Sequence, residues 1–223
     1  KGVYYVSSKE ELDSVISKVK AITDDILMEE YIDGREISVE TISFQNKHYV
    51  LQITDKDSAG APHFVELGHH QPADLSDVIR KKINYVIPQL LTELGFDNGA
   101  SHIEIKYNEE QLFLVEANLR GGGDFISNKL VYLSSGIDYL RAMIEVAMDN
   151  FKSPQKTAPE QYAGIYYLCK QTEYFLPFFE EAKGKSWLVE EVIFTTNLQE
   201  SFSNYERNGY LIYKSDRKIE FTK

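Results

Sequence analysis

Two short runs with a polar turn between them constrain this chain most, because residues 102–106 and 112–116 read as the arms of one antiparallel hairpin. Side chains alternate faces along a strand, so Ile103 and Ile105 point one way and Glu104 and Lys106 the other. On the return arm Phe113 and Val115 point together, opposite to Glu116 and Asn118. Pairing residue 104 with residue 116 turns the apolar side chains toward a core and brings the two carboxylates together on the other face. Arg120 and the run Gly121-Gly122-Gly123 follow at once. Hard cations such as Mg2+ take oxygen ligands, commonly one or two carboxylates beside substrate phosphates. The arrangement suits such an ion held against polyphosphate. It also suits an ordinary solvated hairpin with surface glutamates.

The bulk numbers narrow the classes. With 223 residues, 43% of them hydrophobic, the chain can bury a sizeable core in one or two domains. Its 35 acidic against 24 basic residues, a net charge of −11, argue against nonspecific nucleic-acid binding. The Tyr and Phe residues read as core and strand packing, with no basic residues interleaved as in a nucleic-acid platform. Cys169 is the only cysteine, which excludes an internal disulfide and suits a reducing compartment. Its apolar setting in Ile165-Tyr-Tyr-Leu-Cys169 marks a packed thiol rather than a nucleophile. No stretch approaches the ~20 apolar residues that span a bilayer, and no signal pattern opens the chain. The expectation is a cytoplasmic protein with no membrane partner.

Along the chain, residues 3–6 read as a strand, and Ser8-Lys-Glu-Glu11 as a capping box opening a helix with a Leu12, Val15, Ile16, Val19 stripe. A start without Met, directly into a strand, reads as a fragment of a larger protein. Residues 26–32 read as a strand broken at Asp33-Gly34, and 36–44 with 48–53 as an antiparallel pair. The polar stretch 55–71, with His63, His69 and His70, reads as a long functional or mobile loop. Leu75 to Leu94 carries a strong helical period, with a kink at Pro88 and a C-terminal cap at Gly95. A further helix is expected over 135–148 and a linker over 151–160. Strands are expected over 162–169, 188–195 and 210–213, the last with Asn208-Gly209 as its turn.

With hinge and hairpin both placed, a family becomes recognisable. Met28-Glu29-Glu30-Tyr31-Ile32-Asp-Gly34-Arg-Glu36-Ile-Ser-Val39 resembles the nucleotide-binding hinge of ATP-grasp carboxylate–amine ligases. Gly99-Ala-Ser-His-Ile-Glu104 and Glu116-Ala-Asn118-Leu-Arg120-Gly-Gly-Gly resemble their metal-binding hairpin. Biotin carboxylase, glycinamide ribonucleotide synthetase and especially the L-amino-acid ligases are the relatives it suggests. The resemblance implies an α+β chain: an ATP-grasp fold, antiparallel sheet with packed helices, over residues 1–150, with 1–25 a remnant of the lid subdomain. A small β-rich C-terminal domain follows over 151–223.

Carried over position by position, the resemblance implies that Glu29, Glu30, Tyr31 and Ile32 face the adenine edge of ATP and that Glu36 binds the ribose. It makes Glu104, Glu116 and Asn118 the ligands of Mg2+, with Mn2+ as an alternative ion. Arg120, with Asn118, becomes catalytic by steadying an acyl-phosphate and its transition state. The implied reaction phosphorylates a small carboxylate with ATP, and an amine then displaces the phosphate; amino acids are candidate substrates. A non-catalytic ATP- or ADP-binding regulatory module is the rival reading, and a homodimer is allowed. Lys1-Gly2-Val3 resembles the end of the family's phosphate loop, so the lysines that clamp phosphates are absent and the isolated chain is expected to be inactive. Lys56 is a candidate for phosphate or substrate contact, or a solvated loop lysine. His63, Glu66, His69 and His70 resemble a substrate-side loop of the amino-acid ligases, well ahead of a zinc site. His102 reads as a packed histidine on the core face.

Overall fold

Alternation over Arg35–Phe44 (β1) and Lys47–Ser58 (β2) builds the centre of the molecule, with Ile37, Val39 and Ile53 sealed from solvent on one face. The computed structural model describes residues 2–61, 64–109 and 111–221. The remaining strands are Glu66–Gln71 (β3), Gly99–Asn108 (β4), Gln111–Asn118 (β5), Tyr162–Leu168 (β6), Leu188–Ile193 (β7) and Gly209–Ser215 (β8). They form one eight-stranded sheet in the order β5-β4-β1-β2-β3-β6-β8-β7, antiparallel at every pairing. The antiparallel sheet with packed helices expected from the sequence is the fold observed.

Helices cover both faces. The Asp77–Glu93 helix (α2) follows a first helix, Lys9–Lys20 (α1). Ile79, Ile83, Ile87 and Leu91 of α2 pack on Ile37, Val39, Ile53, Ile103 and Ile105. It stays one element through Pro88, and Gly95 follows it in the left-handed region. The opposite face receives a π-helical turn, Ile126–Leu130, with Val131–Ser135 (α3) and Tyr139–Ala147 (α4), over Ile42, Leu51, Ala100 and Ile165. Leu176–Ala182 (α5) closes a third cluster around Tyr166, Leu168 and Tyr213. The boundary expected near residue 150 lies between α4 and β6, and β6 to β8 continue the same sheet. Among the described residues no helix is long and apolar enough to cross a membrane.

Several local expectations are corrected. Residues 3–6 and 26–32 form no strand; Leu27 and Met28 are 81% and 74% exposed, and no neighbouring strand offers a ladder. Ser8 holds the N-cap position of α1, but its side chain makes no capping bond; the Ser7 amide and hydroxyl donate to Glu11 instead. The stretch 55–71 is mostly sheet, since β2 runs to Ser58 and β3 begins at Glu66, and its Asp55, His69, His70 and Gln71 are buried. Pro62 and His63 lie outside the described residues, as do Lys1 and Glu110. The helix expected over 135–148 breaks at Gly136 (φ 74°), where a Cβ would stand 2.2 Å from Ala158 O, and α4 restarts under an Asp138 cap. The linker is anchored by buried Phe151, edge-on to Phe44 and Tyr49. Gly209 belongs to β8 rather than to a turn. Cys169 is a buried free thiol, as expected.

Candidate active site

The hairpin closes in the expected register, Glu104 opposite Glu116 and His102 opposite Asn118. One detail differs. A bulge follows the 104–116 pair, so Ile105 faces Leu114 and Val115 is 44% exposed. Leu112 and Ala117, rather than Phe113 and Val115, then join Ile103 and Ile105 against the core. Glu116 is exposed beside the half-buried Glu104, and among the described residues the buried Asn118 amide nitrogen has no hydrogen-bond partner. Two carboxylates and the amide oxygen of Asn118 make an all-oxygen donor set that fits a hard divalent cation.

Behind Glu104 stands a charged network on one face of four strands. Lys56, on β2, has its side chain 4% exposed and donates to Glu36 (2.7 Å), Glu66 (2.8 Å) and Glu104 (2.8 Å). It is therefore neither solvated nor in a loop. His102 shares the Glu104 face rather than the core face, as residues two apart on a strand must. Its Nε2 lies 3.1 Å from Glu104 and its Nδ1 2.5 Å from the fully buried Glu40. Burial alone would lower the His102 pKa, but Glu104 and Glu40 outweigh it and raise it to about 9. Burial would raise that of Glu104, and His102 with Lys56 brings it down to about 2. The other oxygen of Glu40 accepts from the Gly122 amide (3.3 Å), where a Cβ would meet His102 Nδ1 at 2.7 Å. A glycine is required there by close approach.

The chain leaves this glycine turn through Asp124 (φ 50°) and Phe125 (φ 65°), two consecutive non-glycine residues in the left-handed region, and enters a π-helical turn. The strain is held by a two-pronged pair: Arg207 Nη1 and Nη2 donate to the Asp124 carboxylate at 2.9 and 2.7 Å, with the guanidinium 3.5 Å above the Tyr167 ring. Fully buried His69 lies 3.5 Å from both Glu66 and Asp124, an ionic contact, while among the described residues neither ring nitrogen has a hydrogen-bond partner. Burial opposes its protonation, and the two carboxylates override that and raise its pKa. Glu66, buried but facing His69 and Lys56, is held down to about 2. A cavity of about 310 Å³ opens onto Glu66, Glu104, Arg120, Asp124 and Arg207. Arg120 itself is exposed and donates to the neighbouring Gly121 carbonyl.

A second cleft, of about 280 Å³, lies at the ends of β1 and β2 between Tyr31, Glu36, Lys56, Phe64 and Lys106. Of the hinge residues, Glu29 and Glu30 are exposed, and Tyr31 lies edge-on to Tyr5 with the Lys106 ammonium 4.5 Å from its ring centre. The Ile32 carbonyl accepts from Lys106 Nζ (3.0 Å). Glu36 joins the Lys56 network. The structure thus brings Glu36, Glu104 and Arg120 onto one pair of clefts, with Tyr31 at the first, while Glu116 and Asn118 stand opposite Glu104 and His102 on β5. Glu40, Asp124 and Arg207 were missed. Glu40 shares alternation with Glu36, a signal at hand; Arg207 carries none.

Comparison with known proteins places these features. The ATP-grasp domain family model matches residues 1–129. The L-amino acid ligase of Bacillus licheniformis superposes with a TM-score of 0.77 at 22% identity, covering 97% of this chain and 58% of that one. Phosphoribosylglycinamide synthetase of Anaerococcus prevotii gives 0.68 at 17%, covering 96% and 57%. Biotin carboxylase of Campylobacter jejuni gives 0.67 at 17%, covering 97% and 51%. At these identities the likeness is one of fold, and this chain spans little more than half the length of each.

Proposed function

The chain belongs to the ATP-grasp family, and on that premise we propose that it carries the nucleotide- and metal-holding part of an ATP-dependent, Mg2+-requiring ligase. In this reading residues 1–150 bind nucleotide and metal and 151–223 form a β-rich appendage. The ligase activates a small carboxylate as its acyl-phosphate and joins it to an amine, with amino acids as the substrate class. The observation that carries the reading is the register of β4 on β5, which sets Glu104 opposite Glu116 with Asn118 two residues on.

Glu104, Glu116 and Asn118 would hold the divalent ion, which when bound neutralises phosphate charge. Glu29, Glu30, Tyr31 and Ile32 line the route to the adenine, and Glu36, at the rim of the first cleft, serves the ribose. Arg120 opens onto the same cavity as Glu104, where its guanidinium can grip a carboxylate or the developing acyl-phosphate with two parallel N–H donors. Glu66 lines the same cavity and adds a carboxylate that an ammonium group could approach, so the cavity suits a zwitterion. That match, with an L-amino acid ligase among the structural neighbours, supports amino acids.

The test is ADP release by the full-length protein with ATP, Mg2+ and pooled amino acids, beside Glu116→Gln. Amino-acid-dependent turnover is expected, falling about 100-fold or more in the variant. Turnover untouched by Glu116→Gln would sink the metal assignment.

A further inference from the structure

We propose that Lys56 is a built-in counter-cation of the metal carboxylates: it holds Glu104 in place while no divalent ion is present and opposes such an ion until nucleotide phosphates arrive. The inference rests on the ATP-grasp reading of Glu104 and deepens it.

An ammonium has three protons, and Lys56 spends them on three carboxylates from three strands: Glu36 of β1, Glu66 of β3 and Glu104 of β4. Ligand oxygens of these carboxylates lie within 4.8 Å of one another. Without a cation at their centre they repel, and the low exposure of Lys56 leaves little water to screen them. Lys56 therefore stands where a cation is electrostatically required.

How Glu104 is held matters more. Both protein donors, Lys56 Nζ at 2.8 Å and His102 Nε2 at 3.1 Å, use the same oxygen, Oε1. Among the described residues no hydrogen bond engages Oε2. The carboxylate is pinned by one oxygen and offers the other. A divalent ion accepted there meets the positive charge of Lys56 across one carboxyl group, which disfavours the bare ion. A polyphosphate adds enough negative charge to reverse the balance. The device would make metal uptake depend on nucleotide, so that the site does not fill with a cation that blocks the phosphates.

A purely structural ion pair would tie the strands together and leave this dependence alone, so the test reads metal binding rather than activity. Mn2+ is titrated into the chain, with free ion followed by electron paramagnetic resonance, without nucleotide and with a non-hydrolysable ATP analogue. Lys56→Gln is expected to tighten nucleotide-free Mn2+ binding by about tenfold or more. Lys56→Arg, which keeps the charge, should stay near wild type, and adding Glu104→Gln to Lys56→Gln should erase the gain. If Lys56→Gln folds poorly alone, the same idea requires Mn2+ without nucleotide to raise its melting temperature more than that of wild type. Unchanged or weaker Mn2+ binding in Lys56→Gln, or a gain that survives Glu104→Gln, would overturn the proposal. The underlying hairpin reading is judged separately: a Glu116→Gln chain that keeps nucleotide-dependent Mn2+ binding would refute that reading, whereas the Lys56 inference stands or falls on the nucleotide-free arms.

Discussion

His69 shows how one residue's environment becomes a measurable pH dependence. Its pKa is raised in the folded protein because Glu66 and Asp124 outweigh burial, so its contribution to stability is present in full below about pH 6.5. That contribution fades as pH rises through the raised folded value. Glu66 and Asp124 are depressed, so their contribution is present above their ordinary carboxylate range and fades as pH falls through it. The expected outcome is that wild type melts above His69→Gln by a gap that is largest between about pH 5 and 6.5 and narrows toward both acid and alkali. A gap independent of pH would show that His69 acts by packing alone. At this scale the carboxylates of the site were legible, because alternation and motif spacing are local. The partners that set their charge state were legible only in part. Glu40 sits four residues after Glu36 on one strand face, while Lys56 and Glu66 lie in a polar stretch that reads as a loop.

At the scale of elements, α2 announces itself through the four-residue recurrence of Ile79, Ile83, Ile87 and Leu91, all buried on the sheet. Ile83→Ala should cost about 2–5 kcal/mol in urea unfolding, the transfer and cavity terms of an aliphatic side chain with no exposure. A loss below about 1 kcal/mol would mean that the layer collapses around the gap. The elements that failed to appear or appeared unannounced share a reason. A strand is stable only as part of a ladder, so residues 26–32 stay irregular despite their composition. β3 forms despite its polarity because His70 and Gln71 find partners across β2, β8 and α3: His70 between Asp57 and Tyr213, Gln71 on Thr54 and Ser134. The β5 bulge also escapes a reading by alternation. One extra residue reverses the facing of everything beyond it, and no residue type at Val115 marks the place.

For the whole molecule, the site is assembled by contacts between distant segments. Arg207 reaches Asp124 across 83 residues of sequence and so fastens the segment between β7 and β8 to the glycine turn. Arg207→Ala leaves the partly buried Asp124 carboxylate without its guanidinium partner. It should cost about 2–4 kcal/mol and speed amide exchange across residues 194–208 and 121–125 together. Acceleration confined to 194–208 would show that the glycine turn holds itself. The sequence by itself determined the α+β class, the antiparallel hairpin with its paired glutamates, the α2 helix and membership of an ATP-grasp-like family. The hairpin and α2 rest on periodicities that each span a few residues, and the class and family on short motifs that resemble those of ATP-grasp ligases. The tertiary structure alone decided that β6 to β8 extend the same sheet, that Lys56 is shared by three glutamates, and that Glu40 and Arg207 brace the glycine turn. Those outcomes depend on which strands lie side by side, and strand order is set by burial over the whole chain rather than by any local pattern.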